Sequence, residues 1–172
     1  MVFGMLHIPG WRRLSSEALE RLRALAGFMR FLEEGLGYRF RAEEEFEKRL
    51  PLQKYVFLAR RLGLDLGYRF TLYLYGPYSP ALANDYYELA RRGDISPAPL
   101  PDGFDLEGFL ALVGGRDATW LEVASSIILV EELYPGISEE DAYGVLKLSK
   151  PWLDKPLFAE ICGELRGRGL IG

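Results

Sequence analysis

The sequence predicts a mainly α protein, a helical domain carrying one small β element. Through most of the chain, apolar residues recur at alternating steps of four and three, the spacing that gathers side chains on one helix face. Serines stand ahead of several of these runs and glycines behind them, as helix starts and stops require. Only the segment 69–75 changes to the alternating pattern of a strand.

The first helix begins at Ser15 or Ser16, where a hydroxyl can accept from a free N–H of the first turn. Ala18, Leu22, Leu25, Met29, Leu32 and Leu36 form its apolar stripe, and Gly35 and Gly37 supply the stop. A second helix is expected over 42–62, with Leu52, Tyr55, Val56, Ala59 and Leu62 facing inward and Pro51 bending or dividing it. Next, Phe70, Leu72 and Leu74 alternate with Arg69, Thr71, Tyr73 and Tyr75, which predicts a strand with one buried face, ended by Gly76 and Pro77. Ser79 followed by Pro80 opens a helix, since the serine can cap and proline at the first helical position loses no hydrogen bond. Leu82, Tyr86, Leu89 and Ala90 share one face of it, and Arg91, Arg92 and Gly93 close it.

The segment DISPAPLPDG, 94–103, holds three prolines and reads as a loop, the best candidate for an internal boundary. Helices follow over 105–113, 118–134, 138–148 and 155–168. The 120–130 portion is apolar nearly all round, which places it at the centre of the core. LGYRF occurs at Leu36–Phe40 and again at Leu66–Phe70. Two copies in different contexts read as similar helix stops rather than as a repeat architecture.

At 172 residues the chain suits a single domain, with a helical part over 1–50, a middle part over 51–103 and a helical part over 104–172. A chain this long removes roughly 70% of its unfolded surface from water and needs no disulfide or metal staple. The one cysteine, Cys162, reads as a small buried hydrophobe. The N-terminal MVFGMLHIPGWRR lacks the order of a signal peptide, and the apolar run from Ala118 to Val130 is interrupted by Glu122 and too short to span a membrane. A cytoplasmic protein without membrane contact is expected. The net charge of −4 divides unevenly: up to Tyr68 there are 12 basic against 9 acidic residues, and beyond it 9 against 16. No long block of like charge results, and the imbalance reads as ordinary solvated faces.

Reactive side chains are few. With one histidine, His7, and one cysteine, neither a zinc site nor a nucleophile–histidine arrangement can be assembled. No phosphate-binding glycine loop or metalloprotease motif occurs. Glu131 and Glu132 are neighbours that point in different directions on a helix. Glu139, Glu140 and Asp141 follow Ser138, where acidic groups favour a helix N-terminus. No catalytic residue, metal or cofactor is expected, and the chain reads as non-enzymatic.

Five tyrosines cluster in YLYGPYSPALANDYY, residues 73–87. Rigid rings with a polar tip suit protein interfaces and can also stack on unpaired bases, or else form a second layer of core. The order helix, strand, turn, helix makes the middle third winged-helix-like, a shape in which the later helix can enter the major groove. Pro80 to Ala90, however, contains no Lys or Arg while Asp85 and Glu88 are acidic, which disfavours phosphate contact and therefore DNA.

Leu52, Lys54 and Tyr55 leading a helix, then Tyr68, Arg69 and Phe70, then YGPYS at 75–79 with Leu82 and Asp85 after it, resemble the YwgA-like proteins of bacteria and archaea. More distantly the pattern is similar to the Panacea, or SocA-like antitoxin, domain, which also has a helix followed by an aromatic-rich Gly-Pro turn. The likeness spans about residues 50–95. The Panacea resemblance implies a non-enzymatic role in binding and neutralising another protein, whereas the YwgA-like resemblance implies no particular activity.

The expected function is thus a cytoplasmic protein-interaction module of regulatory or antitoxin type. Its contact surface would comprise Tyr73, Tyr75, Tyr78 and Tyr87, with Gly76 and Pro77 fixing the turn, Ser79 capping the helix and Asp85 as a polar contact or a cap-region partner. One alternative is a winged-helix DNA-binding transcriptional regulator. Another is a carboxylate-dependent enzyme, or one using the free N–H groups at Ser79 as an anion site; a deep pocket gathering ionisable groups would favour it and a flat tyrosine-rich face would not.

Overall fold

The structure is a computed structural model that describes residues 13–44 and 46–172. The N-terminal segment with His7, and Glu45 of the short acidic run, lie outside the described residues. Ser15 accepts from the Ala18 N–H at 3.1 Å and opens α1 (Ser16–Leu36), which Gly37 ends in the left-handed region at φ 68°. Leu22, Leu25 and Leu32 of the expected stripe are buried.

The second helix, α2 (Phe46–Ala59), starts later than expected, and Pro51 sits inside it without dividing it. A 3-10 turn, Arg60–Leu62, extends it to Gly63. Every residue from Leu52 to Ala59 is buried, so α2 has no solvent face along this stretch. The single inward stripe expected for it is corrected on that account: α4, α5 and the β element all pack on α2.

The β element is a hairpin. β1 (Thr71–Tyr73) pairs antiparallel with β2 (Gly76–Tyr78), in the register Thr71 with Tyr78, Leu72 with Pro77 and Tyr73 with Gly76. Gly76 and Pro77 therefore do not end a strand but begin a second one. Leu74, expected on the buried face, is 60% exposed because it sits in the two-residue turn with Tyr75. Gly76 takes φ 96°, while no described residue other than glycine has positive φ. The left-handed conformation of this tight hairpin thus falls just after the turn, on the one residue there that adopts it without strain.

Ser79 caps α3 (Pro80–Arg92) through the Leu82 N–H at 3.3 Å, and Gly93 closes it at φ 69°. Its buried face is Leu82, Ala83, Asp85 and Tyr86, while towards its C-terminal end Leu89 is half-buried and Ala90 exposed. The hairpin precedes α3, so the middle third runs helix, hairpin, helix. The proline segment 94–103 does not hang free: Ala98 N–H donates to Arg23 O of α1 at 2.9 Å, and just past the segment Asp105 N–H donates to Leu62 O of the 3-10 turn at 2.8 Å.

Asp105, Asp117, Ser138 and Asp154 each cap the helix that follows, α4 (Leu106–Val113), α5 (Ala118–Leu133), α6 (Glu139–Ser149) and α7 (Lys155–Gly167). As its all-round apolar sequence predicts, α5 is central, touching α2, α6, α7 and both strands. One hydrophobic cluster draws on all seven helices of the described residues. Cys162 is buried in it, and burial pushes its thiol up to about 12, away from nucleophilic chemistry. Among the described residues no helix is long and apolar enough to cross a membrane.

Candidate functional site

The tyrosine hairpin is held from behind by three buried polar side chains. Lys150 Nζ donates to Leu74 O at 3.1 Å and Lys54 Nζ to Pro77 O at 2.8 Å. The Gln53 carboxamide grips Ser79 on both sides, its Nε2 donating to Ser79 O at 3.0 Å and its Oε1 accepting from Ser79 N–H at 2.9 Å. Behind Gly76 the backbone lies so close to α5 that a Cβ there would meet Ser126 Oγ at 2.9 Å and Glu122 O at 3.3 Å. Ser126 is small enough for this approach and turns its hydroxyl back onto Glu122 O at 2.6 Å.

The anchoring sorts the predicted site residues into two groups. Tyr73 and Tyr75 are 51% and 42% exposed, and Tyr78 is half-buried with its ring 5.4 Å from that of Tyr73. Gly76, Pro77 and Ser79 are buried and act on the hairpin from within, so Ser79 offers no open anion site. Tyr87 is exposed but stands apart, packed beside Phe40 and Tyr86 and hydrogen-bonded by Arg49. Asp85 is corrected as a partner contact: Tyr68 Oη donates to it at 2.6 Å and Arg21 Nε at 2.6 Å, which leaves it 8% exposed and engaged by its own chain. The Tyr68 hydroxyl is pushed up, first by burial and then by this hydrogen bond to the carboxylate.

Beside the hairpin opens a cleft of about 440 Å³ between α2, α5 and the end of α6. Leu50, Leu74, Tyr75, Leu121 and Trp152 give it apolar walls, while Lys54, Glu122, Thr119 and Ser149 supply polar groups. An adjoining hollow of about 240 Å³ reaches Tyr73 and Tyr78 and shares Leu50, Lys54, Leu74 and Tyr75 with it. The rim at Trp152 is tied down as firmly as the hairpin, with Lys147 Nζ donating to Pro151 O at 2.6 Å and to Leu153 O at 3.0 Å and Tyr143 Oη to Leu153 O at 2.9 Å.

Charge is unequal in and behind the cleft wall, where Lys54 and Glu122 line the cleft and Lys150 lies buried behind them. Lys150 lies 3.4 Å from Glu122, which opposes the effect of burial on its amine; burial still holds that amine below its ordinary value. Lys54 is pushed down to about 8, chiefly by burial, with Glu122 opposing and Lys150 adding to the shift. Two lysines thus share one carboxylate in a region of low dielectric, where unpaired charge is costly. On α3, by contrast, the cations that would face a nucleic acid are spent: Arg91 and Arg92 both bond Glu88, and that pairing, Arg91 first, lowers the Glu88 carboxyl.

Reasoning from sequence passed over Gln53, Lys150, Glu122, Ser126 and Trp152 as parts of this site, and met Lys54 only through the YwgA-like resemblance. A usable signal did exist for the first of them. Gln53 and Lys54 interrupt a helix whose other residues from Leu52 to Ala59 are apolar or aromatic, and polar groups buried all round must find partners inside. No family model matches the chain, and neither a curated protein nor a solved structure matches it.

Proposed function

We infer that this chain is a non-enzymatic protein-interaction module of regulatory or antitoxin type, which grips its partner through the outer face of the hairpin. The observation that carries the reading is the combination of exposed rings on a pinned backbone: Tyr73, Leu74, Tyr75 and, across the cleft, Trp152 are all at least 42% exposed, while residues 74, 77 and 79 are each hydrogen-bonded from the core. Aromatic anchors held in place before binding lose little freedom on association, and such residues dominate interface energetics. The resemblance to the Panacea domain agrees with this role.

The test is affinity capture from cells of the source organism, with the retained proteins identified by mass spectrometry. The native chain should enrich a specific partner, and the Tyr73→Ala/Tyr75→Ala variant should lose it, each ring contributing about 2 kcal/mol or more. Because both rings are solvent-facing, unfolding of the variant in urea should change by no more than about 0.5 kcal/mol per substitution. Equal capture by native chain and variant would overturn the reading, as would a variant that unfolds. DNA binding is the rival with its own measurement: a gel shift with duplex DNA at low salt should show no retardation, whereas a shift that weakens steeply with added salt would favour the regulator.

A further inference from the structure

Lys54 is only 3% exposed, and among the described residues Pro77 O is the one acceptor for its ammonium. Among the described residues no carboxylate oxygen lies within 4.0 Å of Lys54 Nζ, since Glu122 is drawn to Lys150. A lysine has three donors, so Lys54 keeps unused hydrogen-bonding capacity, and its charge, felt by Glu122 only at a distance, has no direct ion pair among the described residues in an apolar cleft. The cleft volume of about 440 Å³ falls in the range of small-molecule sites, and its walls are mainly aliphatic and aromatic with few polar groups.

We propose that this cleft is a binding site for a small apolar monocarboxylate, with the carboxylate on Lys54 Nζ and the apolar body against Leu50, Leu74, Leu121 and Trp152. Of the ionisable groups, Lys54 and Glu122 line the cleft, and Lys150, buried behind the lining, pairs with Glu122; one added negative charge on Lys54 balances the set, whereas a dianion would overfill it and a cation would add to the existing excess. An apolar body replaces water along the walls, and the chain already carries the cost of burying the lysine. This goes beyond the protein-contact reading, because it assigns a small-molecule ligand to the cleft that Leu74, Tyr75 and Trp152 also wall, and requires no protein partner.

The test is calorimetric titration of the native chain with octanoate, using octan-1-ol and octylamine as controls. Octanoate should bind with one-to-one stoichiometry, octan-1-ol at least about tenfold more weakly, the size of one hydrogen bond to a charged group, and octylamine not at all. Lys54→Met should abolish the preference for octanoate over octan-1-ol. Thr119→Trp, at an exposed position on the rim, should block both ligands without touching the lysine. The charged groups facing Lys54 are Glu122 from α5 and Lys150 from α6, and the hairpin beside it brings Tyr75 and Tyr78. Affinity for octanoate should therefore hold steady between about pH 6 and 7.5 and fall about tenfold per unit above about pH 8, as Lys54 loses its proton. No heat of binding at about 10 mM octanoate would overturn the proposal. So would equal affinity for octan-1-ol, or undiminished binding by the Thr119→Trp protein.

Discussion

Asp85 joins three elements that are distant in sequence, accepting from Tyr68 ahead of the hairpin and from Arg21 on α1 while it sits on α3. Arg21 is 43% exposed at its side chain and can turn to water, so the pair with it is worth little by itself. The Tyr68 hydroxyl is buried and has no such escape. Asp85→Ala should cost about 1–3 kcal/mol in urea unfolding, most of it from stranding that hydroxyl, and Tyr68→Phe about 1 kcal/mol. Combined, the two should cost less than the sum of the separate losses, because both remove the same bond. Lys54 makes a second prediction at this scale. Its folded value of about 8 lies below the ordinary 10.5, so between those limits the unfolded chain binds more protons. Stability from this group should then rise with pH from about 8 towards 10.5, so the change from pH 7.5 to 9.5 should favour the native chain more than Lys54→Met, in which only the Lys150 contribution remains. Thermal unfolding of both proteins at pH 7.5 and 9.5 checks it.

Among the elements, glycine positions separate two kinds of constraint. At Gly93 the left-handed φ of 69° is needed but a Cβ would meet open space, so Gly93→Ala should cost only the conformational strain, about 1 kcal/mol. Gly76→Ala adds to strain a collision with α5 and should cost about 2 kcal/mol or more. Gly27 tests the proline strap: it lies within α1 in ordinary helical conformation, but a Cβ there would overlap the Ala98 carbonyl oxygen. Gly27→Ala should lift the strap, speeding hydrogen exchange at the Ala98 amide that bonds Arg23 O while leaving α5 amides unchanged. The helices were legible in the sequence because their boundaries are written locally: Ser15, Ser79 and Ser138 as caps and Gly37 and Gly93 as stops act within one turn of themselves. The hairpin was not, because its strands are three residues each and its second strand begins at a Gly-Pro pair that usually signals an end. What makes GPY a strand is support from Lys54, Lys150 and Ser126, which are 22 to 76 residues away in the chain.

Over the whole molecule, α2 and α5 form a buried pair, and the hairpin rests across both where they meet the end of α6. The same arrangement produces the two features on which the proposed partner contact and ligand site rest. With the hairpin backbone pinned, Tyr73 and Tyr75 are exposed, and Lys54 beneath it puts a buried amine in the lining of a cleft. The tyrosines of the candidate surface could be read from sequence since five of them crowd one turn, but strand alternation alone does not say which face water sees. Asp85 read as a surface acid because nothing local reveals Arg21 or Tyr68 beside it, and Trp152 reaches the cleft only through the packing of α6. Hydrogen exchange of the chain with and without the captured partner tests hairpin binding most directly. Amides of residues 71–76 and Trp152 should exchange more slowly in the complex, with α3 near Arg91 and Arg92 unchanged. Protection confined to α3 or to the outer face of α1, with the hairpin exchanging as in the free chain, would contradict it.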